Sequence, residues 1–327
     1  MDQHFLQNRC RPYFDEVENY LFKIRLTDPV SKQYRLPLSS SPEYNDNSIK
    51  AWFPNFTNYD LALVKNLYTE YVDVLEKATQ RTPREIFLDS HLYPDLDTNQ
   101  TGLSIAPNQN LDESHRHHAH LMAIYPVTQL DASNETDKAI ISKSLRWLEQ
   151  QGTRAWCGYS FSWAACLYAK AKEGDNAARM LKIFATNFVS SNSFHLNGDQ
   201  RGGQYSGFTY RPFTLEGNFA FAQGIHEMLI QSDKGYIEIF PAVPVDWKNV
   251  SFKTLRTEGA FLVSAIKEAG LVSEVKITAE AGGTMYLKLP FKTFYIDGAR
   301  KKYNINADKL QVEMKKGESI RIKNGYE

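Results

Sequence analysis

Cysteine is scarce in this chain. Cys10, Cys157 and Cys166 are the three among 327 residues, and no C-x-x-C spacing suggests a metal site or redox pair, so the expectation is three buried thiols. An excess of either charge is lacking too: 38 Lys+Arg stand against 38 Asp+Glu, and no net field draws the chain to nucleic acid or an anionic membrane. No segment approaches the apolar length that a membrane-spanning helix needs. The start, Met1-Asp2-Gln3-His4-Phe5-Leu6, has no basic segment followed by an apolar stretch, so the chain as written reads as soluble and unexported.

What is present is a globular composition, 42% hydrophobic, over a length that suits one large domain or a large and a small one. Aromatic residues are plentiful, with 18 Tyr, 19 Phe and 5 Trp. Such rings dominate core burial, and they also line sugar-binding clefts, where pyranose C–H faces pack on them. Composition alone does not choose between these uses.

Along the chain, Tyr13, Phe14, Val17, Tyr20, Leu21 and Ile24 repeat at helical spacing until Asp28-Pro29. Residues 34–58 are rich in Pro, Ser and Asn, a loop long enough to be a site candidate. Helical periodicity resumes from Tyr59 to Thr79, with Asn58 placed to cap it. Residues 80–114 revert to Pro, Asp, Asn and Gly. Three further helices are expected at about 133–151, 158–173 and 175–189, and a last one at about 217–231. Beyond Ser232 the pattern changes to short alternating segments such as Tyr236–Phe240, Phe261–Ile266, Glu274–Ile277 and Met285–Leu289. Helices followed by strands predict a mainly α protein with a β C-terminal domain, 1–232 helical and 233–327 antiparallel β.

Two segments carry most of the chemistry. Four of the eight histidines fall in His115-Arg116-His117-His118-Ala119-His120, and the chain later reads Thr214-Leu215-Glu216-Gly217-Asn218-Phe219. Imidazoles packed beside a guanidinium concentrate donors and titratable groups. Three of the histidines have a spacing that could offer zinc three nitrogens, but Arg116 among them would repel a cation, so no metal is expected.

These segments resemble glycoside hydrolase family 95, the inverting α-L-fucosidases and α-L-galactosidases. His115-Arg116-His117-His118-Ala119-His120-Leu121 followed by Tyr125-Pro126 resembles the family's His-Arg-His-x-Ser-His-Leu and Tyr-Pro. Gly158-Tyr159-Ser160-Phe161-Ser162-Trp163 is similar to Gly-Trp-Ser-x-Ala-Trp, and Leu215-Glu216-Gly217-Asn218-Phe219-Ala220 to Ile-Asp-Gly-Asn-Phe-Gly. Glu227-Met228-Leu229-Ile230-Gln231-Ser232 and Ser40-Ser41-Pro42-Glu43-Tyr44-Asn45 match further family stretches. The order of similarity runs from roughly 10 to 280.

The resemblance implies part of an (α/α)6 six-hairpin toroid followed by a small antiparallel β-sandwich, with a glycan substrate and no cofactor. Glu216 inherits the water-activating carboxylate by position, with one extra methylene. The family's general-acid Glu, in Gln-Glu-Trp, falls at Ile105-Ala106-Pro107, and the Asn-x-Asn segment is missing, so Glu113 and Glu43 are the candidate acids. Arg116 and His117 are expected to donate to sugar hydroxyls or hold carboxylates, with His115 or His120 bonding backbone at a helix start. Trp156 and Tyr159 could present stacking rings, and His120, Asn218 and Gln204 complete the expected binding set. Three readings follow: an α-L-fucosidase-like hydrolase, a carbohydrate-binding relative impaired in catalysis, or a fragment of a longer glycosidase. In the last case export to the periplasm or beyond is expected, and uncovered helix faces would promote self-association.

Overall fold

In a computed structural model of the chain, residues 2–46, 48–78, 91–297 and 302–325 are described. Thr79, at the end of the second expected helix, and positions 80–90 of the following loop lie outside them. The chain divides into two compact units: Met1–Trp156 with Tyr205–Phe208, and Cys157–Gln204 with Thr209–Glu327.

The first unit opens with helical residues from Gln3 onward that become helix α1, Arg11–Ile24, after a π-type turn at Leu6–Cys10. Pro12 has no N–H to return to the preceding turn, which fits a widened ladder just ahead of it. Strands β1 (Leu26–Thr27) and β2 (Tyr34–Arg35) form a short hairpin closed by Asp28, whose Oδ1 accepts from the N–H groups of Val30 and Ser31 at 3.0 and 2.8 Å. Helix α2 spans Asn58–Ala78. Its cap is not the expected Asn58, whose amide donates to the carbonyls of Asp97 and Ser104, both at 2.8 Å. Thr57 and Asp60 cap it reciprocally instead, Thr57 Oγ1 accepting from Asp60 N at 3.3 Å and Asp60 Oδ2 from Thr57 N at 3.0 Å.

The α1 and α2 faces meet a core rich in tyrosine: Tyr34, Tyr68, Tyr71 and Tyr93 with Leu36, Phe56, Leu61 and Val64. The Arg25 guanidinium lies 3.8 Å from the Tyr34 ring centroid and donates to Tyr93 OH at 3.2 Å, satisfying polar tips in an otherwise apolar cluster. Strands β3 (Thr98–Asn99) and β4 (Gly102–Leu103) pack against helix α3, Glu135–Gln150, which Asn134 caps by accepting from Thr136 and Asp137 N–H.

In the second unit, α4 (Gly158–Lys170) packs against both α5 (Gly174–Asn187) and α6 (Glu216–Leu229). Eleven of its thirteen residues are buried, among them Phe161, Ala164, Ala165, Cys166 and Leu167, so this helix is a core element apolar on every side. Its last residue, buried Lys170, lies 2.9 Å from Glu227 and 2.5 Å from Asp233, where two carboxylates compensate its desolvation.

The β segments that follow are β5 (Ile230–Gln231), β6 (Glu238–Ile239), β7 (Val250–Thr257), β8 (Phe261–Glu268), β9 (Leu271–Ala279), β10 (Gly283–Lys288), β11 (Phe294–Asp297), β12 (Tyr303–Asn306), β13 (Lys309–Met314) and β14 (Ser319–Asn324). They build an antiparallel five-stranded sheet, β11-β14-β9-β8-β7, and a three-stranded one, β10-β13-β12. Inward residues recur with period two: Val263 and Ala265, Val275 and Ile277, Ile320 and Ile322 from the larger sheet, Met285, Leu287, Leu310 and Val312 from the smaller. They form one shared core, each large side chain worth about 1.5–3 kcal/mol of burial. The protein is thus helical first and antiparallel β at its C-terminal end.

Candidate functional site

The histidine segment of the first unit sorts its imidazoles by burial. His118 and His120 point inward, His120 being only 3% exposed, and burial together with nearby His115 pulls the His120 pKa down to about 3. His118 lies 4.6 Å from the Trp156 ring, and Trp156 is 1% exposed. Neither Trp156 nor His120 can meet a sugar from solvent. Both expectations are corrected, because the apolar surroundings of this turn make these rings core residues.

His115 connects the segment to the loop around Glu43. Its Nδ1 accepts from the His117 N–H at 3.2 Å, so Nε2 carries the proton and donates to the Glu43 carbonyl at 3.2 Å. Tyr44 stands edge-on to His115 at 5.7 Å and donates its hydroxyl to Asp112; burial, then Asp112, pushes that hydroxyl pKa up. Glu43 itself adopts a left-handed φ of 56°, uncommon for a residue with a side chain. Pinned through its own carbonyl and by its neighbour, it presents its carboxylate to Arg116 and to His117 Nε2, the latter at 2.8 Å.

The three side chains are partly open to solvent. The hydrogen bond from His117, then the charge of Arg116, holds the Glu43 carboxyl below the usual glutamate range. Burial lowers the His117 pKa against the pull of Glu43, so the pair is a carboxylate accepting from a neutral imidazole N–H. Such a carboxylate retains no proton near neutrality. Glu43 is therefore suited to accept hydrogen bonds from a ligand, and its expected role as a proton donor is corrected. Glu113, on the same segment, is exposed and makes no side-chain hydrogen bond or ion pair among the described residues.

In the second unit Glu216 is the first residue of α6, where a carboxylate is favoured by the helix dipole. It is exposed, and its carboxylate makes no hydrogen bond or ion pair among the described residues. Tyr159, in the first turn of α4, is half-buried and edge-on to Trp163 at 5.8 Å; burial raises its hydroxyl pKa, with the charges of Cys166 and Glu216 adding. Gln204 is exposed beside Gly202 and Gly203, both left-handed at φ 90° and 75°.

Asn218 does not offer its amide to a ligand. Its Oδ1 accepts from His195 N–H at 2.8 Å and its Nδ2 donates to the Ser193 carbonyl at 2.9 Å, so a short polar side chain in the first turn is spent on holding a loop to the helix. This corrects its expected role in binding.

His195 is the residue that sequence reasoning passed over. It is fully buried, and its Nδ1 donates to the Thr214 carbonyl at 2.6 Å, two residues before Glu216. The ring is clasped between two helix starts: a Cβ on Gly158 would come within 2.2 Å of its Nε2, and one on Gly217 within 2.3 Å of its Nδ1. Burial lowers its pKa, so it is a neutral spacer that sets where α6 begins. The signal available in sequence was a single His in a polar glycine-rich stretch.

Comparison with known proteins adds two matches. The model of the glycosyl hydrolase family 95 catalytic domain matches residues 1–229, and that of the glycoside hydrolase family 95 C-terminal domain matches residues 231–322. The chain is also similar to alpha-L-fucosidase 2 of Arabidopsis thaliana, 26% identical over 295 residues, which cover 84% of this chain and 34% of that protein. It thus spans about a third of the length of that relative. On sequence pattern, fold and the family models together, the chain belongs to glycoside hydrolase family 95.

Proposed function

We propose that this chain serves the hydrolysis of α-linked L-fucose- or L-galactose-type glycosides with inversion at the anomeric carbon. The observation that carries the reading is the Glu43–Arg116–His117 cluster, a fixed carboxylate, guanidinium and imidazole N–H of the kind that grips vicinal hydroxyls. In this reading Glu216 takes a proton from water as its oxygen bonds to the anomeric carbon. Glu113 gives one to the glycosidic oxygen as the bond to that carbon breaks. An inverting pair stands about 6.5–9.5 Å apart to leave room for the water.

The test is hydrolysis of a chromogenic α-L-fucoside and α-L-galactoside by the full chain and by Glu216→Gln. Loss of the base should lower kcat by about 10²–10⁴-fold with KM little changed. Hydrolysis of neither sugar, or equal rates in the variant, would sink the proposal. A second reading is favoured by Ala106, a buried methyl-bearing residue where the family carries its acid. In that case the protein binds these sugars without turning them over, and calorimetry would register binding where the assay registers nothing.

A further inference from the structure

Around the start of α6 the second unit exposes an unusual amount of aromatic surface. Segments 194–198 and 210–214 run side by side, with Leu196 bridged to Phe213, Asn197 N–H donating to the Pro212 carbonyl at 3.1 Å and Gly198 N–H to the Tyr210 carbonyl at 3.0 Å. This pairing stacks Phe194 on Phe213, with ring centroids 4.9 Å apart and planes 25° apart, and leaves them 48% and 52% exposed. Phe219 is 66% exposed and lies one helical turn from Glu216. Tyr210 adds a hydroxyl that accepts from Asn197 Nδ2 at 3.2 Å, a polar rim beside apolar faces. Large rings left open together, next to a lone carboxylate, mark a binding surface.

The chemistry narrows the occupant. A surface carrying the Glu216 anion disfavours anionic headgroups. Flat apolar faces bordered by a phenol and an amide match a neutral ring with one C–H face and hydroxyls at its edge, which is a pyranose. We propose that Phe194, Phe213 and Phe219 form a stacking subsite for the sugar units attached to the residue being cleaved, on the leaving-group side. The proposal rests on the reading of Glu216 as the water-side carboxylate for its place in the reaction, and on the ring geometry alone for binding.

The experiment is calorimetric titration of the full chain with L-fucose and with a trisaccharide ending in α-L-fucose, repeated on Phe194→Ala/Phe213→Ala and on Phe219→Ala. Glu216→Gln prevents turnover during the titration. Loss of the stacked pair should weaken the trisaccharide about 3- to 10-fold and leave L-fucose unchanged, and Phe213→Tyr, which keeps the ring, should restore affinity. Equal affinity of the alanine variant for the trisaccharide overturns the subsite, as does equal weakening of both sugars. An altered sedimentation coefficient with unaltered sugar binding would overturn it in favour of a contact between copies of the chain. If the alanine variants weaken the trisaccharide while Glu216→Gln leaves hydrolysis untouched, the subsite stands and the assignment of Glu216 falls. A chain that binds neither sugar sinks both.

Discussion

At the scale of single residues, the pairing of Glu43 with His117 couples two titrations whose directions agree. A carboxylate held below the ordinary 4.5 contributes stability that is fully present above that value and is lost as pH falls through its folded pKa. A histidine held below the ordinary 6.5 favours its neutral form when folded, so protonation also costs stability as pH falls. Acid therefore loosens this cluster from both sides. Because Glu43 pulls His117 upward against burial, Glu43→Gln should lower the His117 pKa further, read as a shift of its imidazole Cε1–H titration by proton NMR. A raised or unchanged midpoint would refute the pairing. Glu43, Arg116 and His117 were legible in sequence because motif order marks them. Trp156, His120 and Asn218 were misread, since a motif names residues without saying which way their side chains turn.

At the scale of elements, helix existence was read well, because apolar period and capping residues are local. The expected stretches at 133–151, 158–173, 175–189 and 217–231 appear as Glu135–Gln150, Gly158–Lys170, Gly174–Asn187 and Glu216–Leu229. Strands fared worse. Val250–Thr257 interleaves Lys253 and Arg256 and bulges between Phe252 and Leu255, with Thr254 at φ 53°, which breaks the alternation that reveals a strand. The last four strands were not anticipated at all. The contact least visible beforehand is the clasp of His195 between Gly158 and Gly217, residues far apart in the chain. With backbone and a buried ring on either side, Gly217→Ala should cost about 1–3 kcal/mol by overpacking, measured as a fall in the denaturation midpoint. Stability equal to that of the unsubstituted chain would show that the helix start has slack. A shift of α6 by even an ångström would also displace Glu216, so activity should fall with stability.

At the scale of the whole molecule, balanced charge argues for a neutral partner, and among the described residues no helix is long and apolar enough to cross a membrane. Helix α1 nonetheless leaves Tyr13, Tyr20 and Phe22 largely exposed. We propose that this face promotes self-association. Sedimentation velocity should show mass rising with protein concentration, and Tyr13→Glu/Tyr20→Glu should abolish the rise; a concentration-independent monomer would dispose of the idea.

By itself the sequence determined the class of protein, the helix-then-strand order, the family and the three residues of the Glu43 cluster, because periodicity, capping chemistry and motif order are properties of neighbouring residues. Only the tertiary structure decided which imidazoles are buried and neutral, that Glu43 is ionised, that His195 spaces two helix starts and that Phe194 stacks on Phe213. Those outcomes depend on burial and on contacts between distant segments, which set dielectric, tautomer and ring exposure.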